Sequence, residues 1–173
     1  SGAPMGELSA ARLLSRRSLA GYWEYRIEGA LFTSPPRTDH SGAGLFNPRG
    51  ELVGIGSLVV ADAMGPDARE GVRVPGNMFV PTDLLRPILG ELSRSGSTAA
   101  SRRAWLGVNC IEQGGQLRVV RVNDDSPAEA AGLRVGDRIV GIDGTAVTTL
   151  DALWTRLWTG AAERDVALEI ERD

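Results

Sequence analysis

The apolar and polar positions near the end of the chain follow two different periods, which predict a strand and a helix. Residues 138–142 (Arg-Ile-Val-Gly-Ile) alternate like a half-buried strand, and Asp143-Gly144 after them is a strong two-residue turn signal. Over residues 150 to about 158, leucine and tryptophan recur at positions i, i+3, i+4 and i+7, which predicts a helix with one apolar face. Thr149 stands where the N-cap of that helix is expected.

A shorter helix is predicted ahead of this strand by its two boundary signals. Ser126 can cap a helix that has Pro127 in its first turn, where a missing N–H costs nothing. Gly132 suits the left-handed position that ends a helix. The helix is therefore expected to be short, about Pro127 to Ala131.

The segment Trp105-Leu106-Gly107-Val108 has an apolar-glycine-apolar pattern. Glycine lets the backbone approach a ligand closely, and neighbouring N–H groups in such a loop can point the same way. The pattern therefore predicts a loop that can hold a carboxylate. The apolar face of the helix that follows Thr149 is expected to line a groove beside it.

The part of the chain before residue 93 is predicted to be mostly β. The predicted elements are strands over residues 22–33, 52–60 and 78–80, a hairpin turn at 48–50, and a helix over 82–92. Residues 65–76 contain three glycines and two prolines, which favours an exposed loop.

Residues 93–103 (SRSGSTAASRR) are small and polar and show no periodicity, which is typical of an interdomain linker. We therefore expect two domains, residues 1–92 and residues 104–173, on either side of it. The expected fold class is mainly β with short helices.

Composition narrows the functional classes. The 173 residues are 42% apolar with a net charge of −3, and no run of basic residues exceeds two, so neither a nucleic-acid interface nor a polybasic membrane patch is expected. One cysteine and one histidine exclude an intrachain disulfide and the usual zinc ligand sets. No metal or cofactor is expected, and Cys110 is interpreted as a core thiol.

The segments at residues 105–108, 126–144 and 150–158 together resemble a PDZ domain of the bacterial protease-associated kind, over about residues 103–173. The resemblance implies that a peptide adds as a strand beside the loop, with its C-terminal carboxylate on the loop's N–H groups. Residues 109–111 would pair with the peptide. The implied peptide-binding residues are Trp105, Leu106, Gly107, Val108, Asn109, Leu150, Leu153 and Trp154. Core packing is the alternative for Leu153 and Leu157.

Residues 38–56 (TDHSGAGLFNPRGELVGIG) resemble the region around the active serine of HtrA-type trypsin-like proteases, typically GNSGGPLFN followed by a turn and a strand. Residues 78–89 similarly resemble the strand and helix that close the second barrel of that family. The resemblance implies a trypsin-like second half-barrel followed by a PDZ domain. It places Ser41 at the nucleophile position and the backbone N–H groups of Ser41 and Asp39 at the oxyanion hole.

Three departures from the family pattern affect the expected chemistry. Asp39 replaces a glycine, which puts a carboxylate where an oxyanion must develop. Ala43 and Gly44 replace a glycine and a proline. The only imidazole, His40, is adjacent to Ser41 and poorly placed to act as its base. In the family, the histidine and aspartate come from an N-terminal barrel that this chain lacks.

Three interpretations follow. The first is the C-terminal portion of an HtrA-like serine endopeptidase, inactive as this fragment. The second is a pseudoprotease that binds peptides through its PDZ domain, and the third is a PDZ adaptor fused to an unrelated β domain. The resemblance implies peptide or unfolded-protein C-termini and the missing barrel as partners, homo-oligomers, and a periplasmic or cell-envelope location, although the chain carries no targeting signal.

Overall fold

A computed structural model describes residues 8–65, 72–98 and 102–172. The described chain is mainly β, with two five-stranded sheets and three short α helices. It divides into two compact units. Among the described residues, the N-terminal unit comprises 8–17, 29–65 and 72–87, and the C-terminal unit comprises 18–28, 88–98 and 102–172. No helix among the described residues is long and apolar enough to cross a membrane.

The first sheet has the strand order β1-β2-β5-β4-β3. Its strands are β1 (Arg12–Gly21), β2 (Tyr25–Ser34), β3 (Gly44–Phe46), β4 (Leu52–Val60) and β5 (Gly76–Pro81). The predicted strand over residues 52–60 is confirmed, and β5 includes the one predicted over 78–80. The prediction over 22–33 was wrong at its start, because residues 22–24 form the turn between β1 and β2, where Glu24 has a φ of 55°.

The helix predicted over residues 82–92 is interrupted. A 3-10 turn covers Thr82–Leu84, and α1 begins only at Leu89 and ends at Ser95. Pro87 explains the break, because its ring clashes with the carbonyl four residues earlier and it lacks an N–H to donate. α1 therefore extends three residues into the predicted linker, and residues 99–101 of that linker lie outside the described residues. Residues 66–71 of the predicted exposed loop also lie outside them.

The second sheet has the order β10-β8-β7-β6, and β9 pairs with β8. Its strands are β6 (Val108–Gln113), β7 (Gln116–Val122), β8 (Arg138–Ile142), β9 (Thr145–Ala146) and β10 (Leu168–Glu171). The predicted strand at 138–142 is confirmed as β8. Asp143 and Gly144 both have positive φ, 50° and 73°, as a tight turn between antiparallel strands requires.

The two helices of the C-terminal unit follow their sequence signals. α2 covers Pro127–Ala130, with the Ser126 side chain accepting a hydrogen bond from the Glu129 N–H, and Gly132 has a φ of 81°. α3 covers Leu150–Leu157 and is capped by Thr149. The apolar face of α3 packs into a core built with β6, β7 and β8. This packing fixes α3 beside the sheet that carries the candidate site.

Candidate functional site

The carboxylate loop, residues 105–108, depends on a glycine at its centre. Gly107 has a φ of 83°, a conformation that side chains disfavour. A Cβ at this position would overlap the Cβ of Ser126 and lie 2.9 Å from its Oγ. Only glycine therefore lets the loop pass this close to the N-cap of α2. The Ala128 N–H also donates to the Leu106 carbonyl, at 2.9 Å, which ties the loop to the helix.

Three consecutive backbone N–H groups of this loop converge on one carboxylate. Leu106 donates to Oε2 of Glu24 at 3.0 Å, and Gly107 and Val108 donate to Oε1 at 2.6 and 3.0 Å. Hydrogen bonds to an ionised acceptor are stronger than those between neutral groups. Glu24 belongs to the same compact unit as the loop. The loop therefore binds a carboxylate in this structure, and a side chain supplies it.

The residues before Glu24 lie along the groove between β6 and α3. The Cys110 N–H of β6 donates to the Tyr22 carbonyl at 2.8 Å, which is the kind of contact that an added strand makes. On the other side, the indole N–H of Trp154 donates to the Gly21 carbonyl at 2.9 Å. Residues 21–24, which we call the hairpin tip, thus occupy the groove from its strand wall to its helix wall.

Hydrogen bonds at the start of α3 hold the helix wall in place. Glu112 of β6 accepts a hydrogen bond from the Leu150 N–H at 2.6 Å, and the Thr149 hydroxyl accepts from the Ala152 N–H at 3.2 Å. These acceptors satisfy two of the unpaired N–H groups at the helix N-terminus. In the same turn, Asp151 accepts from Arg26 at 2.7 Å, which anchors the β1–β2 hairpin next to its tip.

The expected peptide-binding residues differ in burial. Trp105 is 52% exposed, whereas Leu106 and Val108 are buried and Asn109 is half-buried in β6. Leu150, Leu153 and Trp154 are all buried. Leu153 lies in the hydrophobic core together with Leu157, while Trp154 reaches the groove through its N–H. The role of these side chains in peptide binding stays a prediction.

Cys110 has the opposite character from a reactive thiol. Its side chain is fully buried, and burial, with the charge of Glu24 as a smaller cause, raises its pKa to about 12. The thiolate is the nucleophilic form of cysteine. Cys110 therefore contributes its backbone N–H to the groove and packs its side chain in the core.

In the N-terminal unit, Ser41 is exposed on a turn that is fastened to β4. The Gly42 N–H donates to the Gly56 carbonyl at 2.9 Å, and the Gly56 N–H donates to the Ala43 carbonyl at 2.8 Å. A Cβ at Gly56 would overlap the His40 carbonyl, so glycine is needed where the turn meets the strand. No hydrogen bond to the Ser41 hydroxyl occurs among the described residues.

Arg37 contacts the two residues that precede Ser41, Asp39 and His40. Arg37 donates to both carboxylate oxygens of Asp39, at 2.7 and 2.6 Å, which holds the pKa of Asp39 below its usual value. The His40 ring lies with Nδ1 at 2.9 Å from the Arg37 carbonyl. The roles expected of Ser41 and Asp39 remain predictions.

Sequence reasoning missed the hairpin tip. A single glutamate between two strands carries no local signal of its partner, and 82 to 84 residues separate Glu24 from the loop it contacts. The positive φ of Glu24 could not be expected, because the sequence predicted a strand where the turn at residues 22–24 lies. Among the described residues, no cluster of three potential metal ligands occurs.

Comparisons with known proteins identify relatives of both parts of the chain. Residues 104–173 match the family model of the PDZ domain. The chain is 28% identical over 151 residues to a Pseudomonas fluorescens protein named "Probable periplasmic serine endoprotease DegP-like", covering 80% of this chain and 30% of the relative. A Hahella chejuensis protein of the same name is 32% identical over 120 residues, or 62% of this chain and 24% of the relative.

Solved structures show the same fold. The match to the HtrA-type protease AlgW with a decapeptide has a TM-score of 0.51 at 20% sequence identity. The match to AlgW with a tripeptide has a TM-score of 0.50 at 21% sequence identity. Each match covers 85% of this chain, and 46% and 50% of those chains. The chain spans less than a third of the length of the curated relatives named above. The chain is therefore similar to the HtrA/Deg-type trypsin-like serine proteases, consistent with the C-terminal half of a protease domain followed by a PDZ domain.

Proposed function

We propose that the C-terminal unit binds peptide segments through a carboxylate, with peptide or unfolded-protein C-termini as the partners. The observation that carries this proposal is the convergence of the Leu106, Gly107 and Val108 N–H groups on one carboxylate. The Cys110 N–H, which pairs with a neighbouring carbonyl, supplies the start of a strand ladder. Main-chain hydrogen bonds and a carboxylate-holding loop together are typical of peptide capture by strand addition.

A suitable probe is the peptide LSRRSLAGYW, which copies residues 14–23. Its terminal carboxylate stands where the chain would otherwise continue to Glu24. Fluorescence anisotropy with the labelled peptide should give at least about tenfold tighter binding for the free acid than for the C-terminal amide, because hydrogen bonds to a charged acceptor are lost in the amide. Equal affinity for the two forms would contradict the proposal.

We propose that the N-terminal unit is the C-terminal part of the protease domain of an HtrA-like serine endopeptidase. This chain alone would not hydrolyse peptides. Ser41 would be the nucleophile, and the N–H groups of Ser41 and Asp39 would hold the oxyanion. A serine hydroxyl needs a base, and His40, the only histidine in the sequence, already contacts the Arg37 carbonyl. The base and its orienting acid would come from a first barrel. By resemblance, the full protein would act in the periplasm.

The second candidate is a pseudoprotease that uses the PDZ domain as a peptide-binding scaffold. The Asp39 side chain favours it, because its carboxylate, held by Arg37 at 2.7 and 2.6 Å, places a negative charge beside the backbone N–H groups that would hold an oxyanion. Labelling of the full-length protein with a fluorophosphonate probe separates the candidates. Labelling that disappears in Ser41→Ala supports the protease, and no labelling, where a known relative reacts, supports the scaffold.

The missing barrel would cover an apolar surface of the N-terminal unit. A cavity of about 560 Å³ there is lined by Leu13, Leu31, Leu45, Phe46 and Val53, among others. Leu13 and Phe46 are 54% and 57% exposed. An uncovered surface of this kind favours association. The chain alone should therefore form dimers or larger homo-oligomers, and a monomer in sedimentation at high concentration would count against this expectation.

A further inference from the structure

The carboxylate loop is already occupied by a residue from within the chain. We infer that Glu24 is an internal ligand of the groove, and that an incoming peptide must displace the hairpin tip before it binds. This inference rests on the proposed peptide binding by the C-terminal unit. It adds a competing state, in which the protein's own side chain holds the site closed.

The hairpin tip uses the same donors that a peptide would need. The Glu24 carboxylate accepts from all three loop N–H groups, and the Tyr22 carbonyl accepts from Cys110. A second carboxylate cannot accept the same hydrogen bonds at the same time. Because the chain continues through Tyr25 into β2, the carboxylate comes from a side chain and no chain end is required. Occupation by the tip and by a peptide is therefore mutually exclusive.

The contact has features of one that can be released. Glu24 has a φ of 55°, a conformation that costs energy for a residue with a side chain. Tyr22 and Trp23 remain 49% and 40% exposed, so the tip buries only part of its aromatic surface. Among the described residues no arginine forms an ion pair with Glu24, and backbone hydrogen bonds alone hold its carboxylate.

The base of the hairpin keeps the released tip close to the groove. Arg26 pairs with Asp151 of α3 at 2.7 Å, and it also donates to Glu28 at 2.6 Å. A tethered ligand has a high effective concentration. External peptide binds only the fraction of molecules whose groove is open, so its apparent affinity is lowered by that fraction. Removing the Glu24 carboxylate should raise the open fraction.

The test compares Glu24→Gln and Glu24→Ala with the control Glu163→Gln. Glu163 is exposed, lies in the same unit and makes no hydrogen bond or ion pair within the described residues. Its substitution removes one negative charge, as the Glu24 substitutions do, without breaking such a contact. Binding of the acid form of LSRRSLAGYW is measured by anisotropy. We expect affinity to rise by about tenfold or more in Glu24→Ala and less in Glu24→Gln, with no change in the control.

A second readout needs no peptide. Amide cross-peaks of Leu106, Gly107 and Val108 in ¹⁵N–¹H spectra should move in both Glu24 variants and stay in place in the control. Unchanged cross-peaks would overturn the inference whatever the peptide does. Moved cross-peaks with equal peptide affinity in all variants would also overturn it, while leaving the proposed peptide binding intact. Moved cross-peaks with no binding by any variant would overturn the proposed function, and the competition with it.

Discussion

The close approach of the carboxylate loop to α2 makes Gly107→Ala the sharpest test of how the groove is built. The added methyl meets the Cβ of Ser126, and its Oγ at 2.9 Å. Moving Ser126 costs free energy, because its hydroxyl accepts a hydrogen bond from the Glu129 N–H at 3.1 Å and so caps α2. The loop must therefore move away, or the helix must lose its cap.

Two costs can be estimated for this substitution. Holding alanine at a φ of 83° costs about 1–2 kcal/mol, and losing the cap adds about 1 kcal/mol. Alanine also restricts the unfolded chain, which opposes these costs by about 0.4–1 kcal/mol. Gly114→Ala is the matched control, since Gly114 has a φ of 60° and nothing within 4 Å of its added methyl. The difference between the variants should be at least about 1 kcal/mol.

Urea unfolding followed by tryptophan fluorescence measures this difference in the relevant part of the molecule. All four tryptophans, at positions 23, 105, 154 and 158, belong to the C-terminal unit. Gly107→Ala should unfold at clearly lower urea than Gly114→Ala with a similar m-value. Equal midpoints for the two variants would refute the steric reasoning, because the strain of a positive φ is common to both.

Two further predictions concern ionisable groups in the C-terminal unit. Asp137 is buried and accepts from Arg172 at 2.7 Å and from the Arg134 N–H at 2.8 Å, and the Arg172 hydrogen bonds lower its pKa. Its stabilisation is complete above the unfolded pKa of about 3.9 and is lost as the pH falls through the lower folded pKa. The gap in urea midpoint between wild type and Asp137→Asn should therefore shrink on acidification, and a gap independent of pH would contradict this. Cys110, buried and with a pKa of about 12, should resist maleimide at pH 8 until urea unfolds the protein, whereas rapid labelling of the native chain would contradict its placement.

The elements that were predictable carry their signals locally. The cap at Ser126, the left-handed Gly132 and the Asp143-Gly144 turn each depend on neighbours in sequence, and each was found where expected. The break in the helix after residue 84 was also readable, because Pro87 lies inside the predicted span. The strand β1 was missed, since its arginines interrupt any apolar alternation and its pairing with β2 defines it.

The sequence predicted the carboxylate-binding loop of the candidate site but not the group that occupies it. The glycine pattern of the loop indicated a carboxylate site, and three N–H groups of that loop do hold one. The identity of the bound group depends on a contact between residues far apart in sequence, which no local pattern encodes. Similarly, the apolar stripe of α3 could not separate Leu153, which lies in the core, from Trp154, whose N–H reaches the hairpin tip.

The central claim is that the loop at residues 105–108 recognises carboxylates of peptides. A ¹⁵N–¹H titration of Glu24→Ala with the acid and amide forms of LSRRSLAGYW tests it most directly. The account predicts that the acid form shifts the amide cross-peaks of Leu106, Gly107, Val108 and Cys110, and that the amide form leaves the first three nearly unchanged. The same response to both forms, or shifts confined to residues outside the groove, would contradict it.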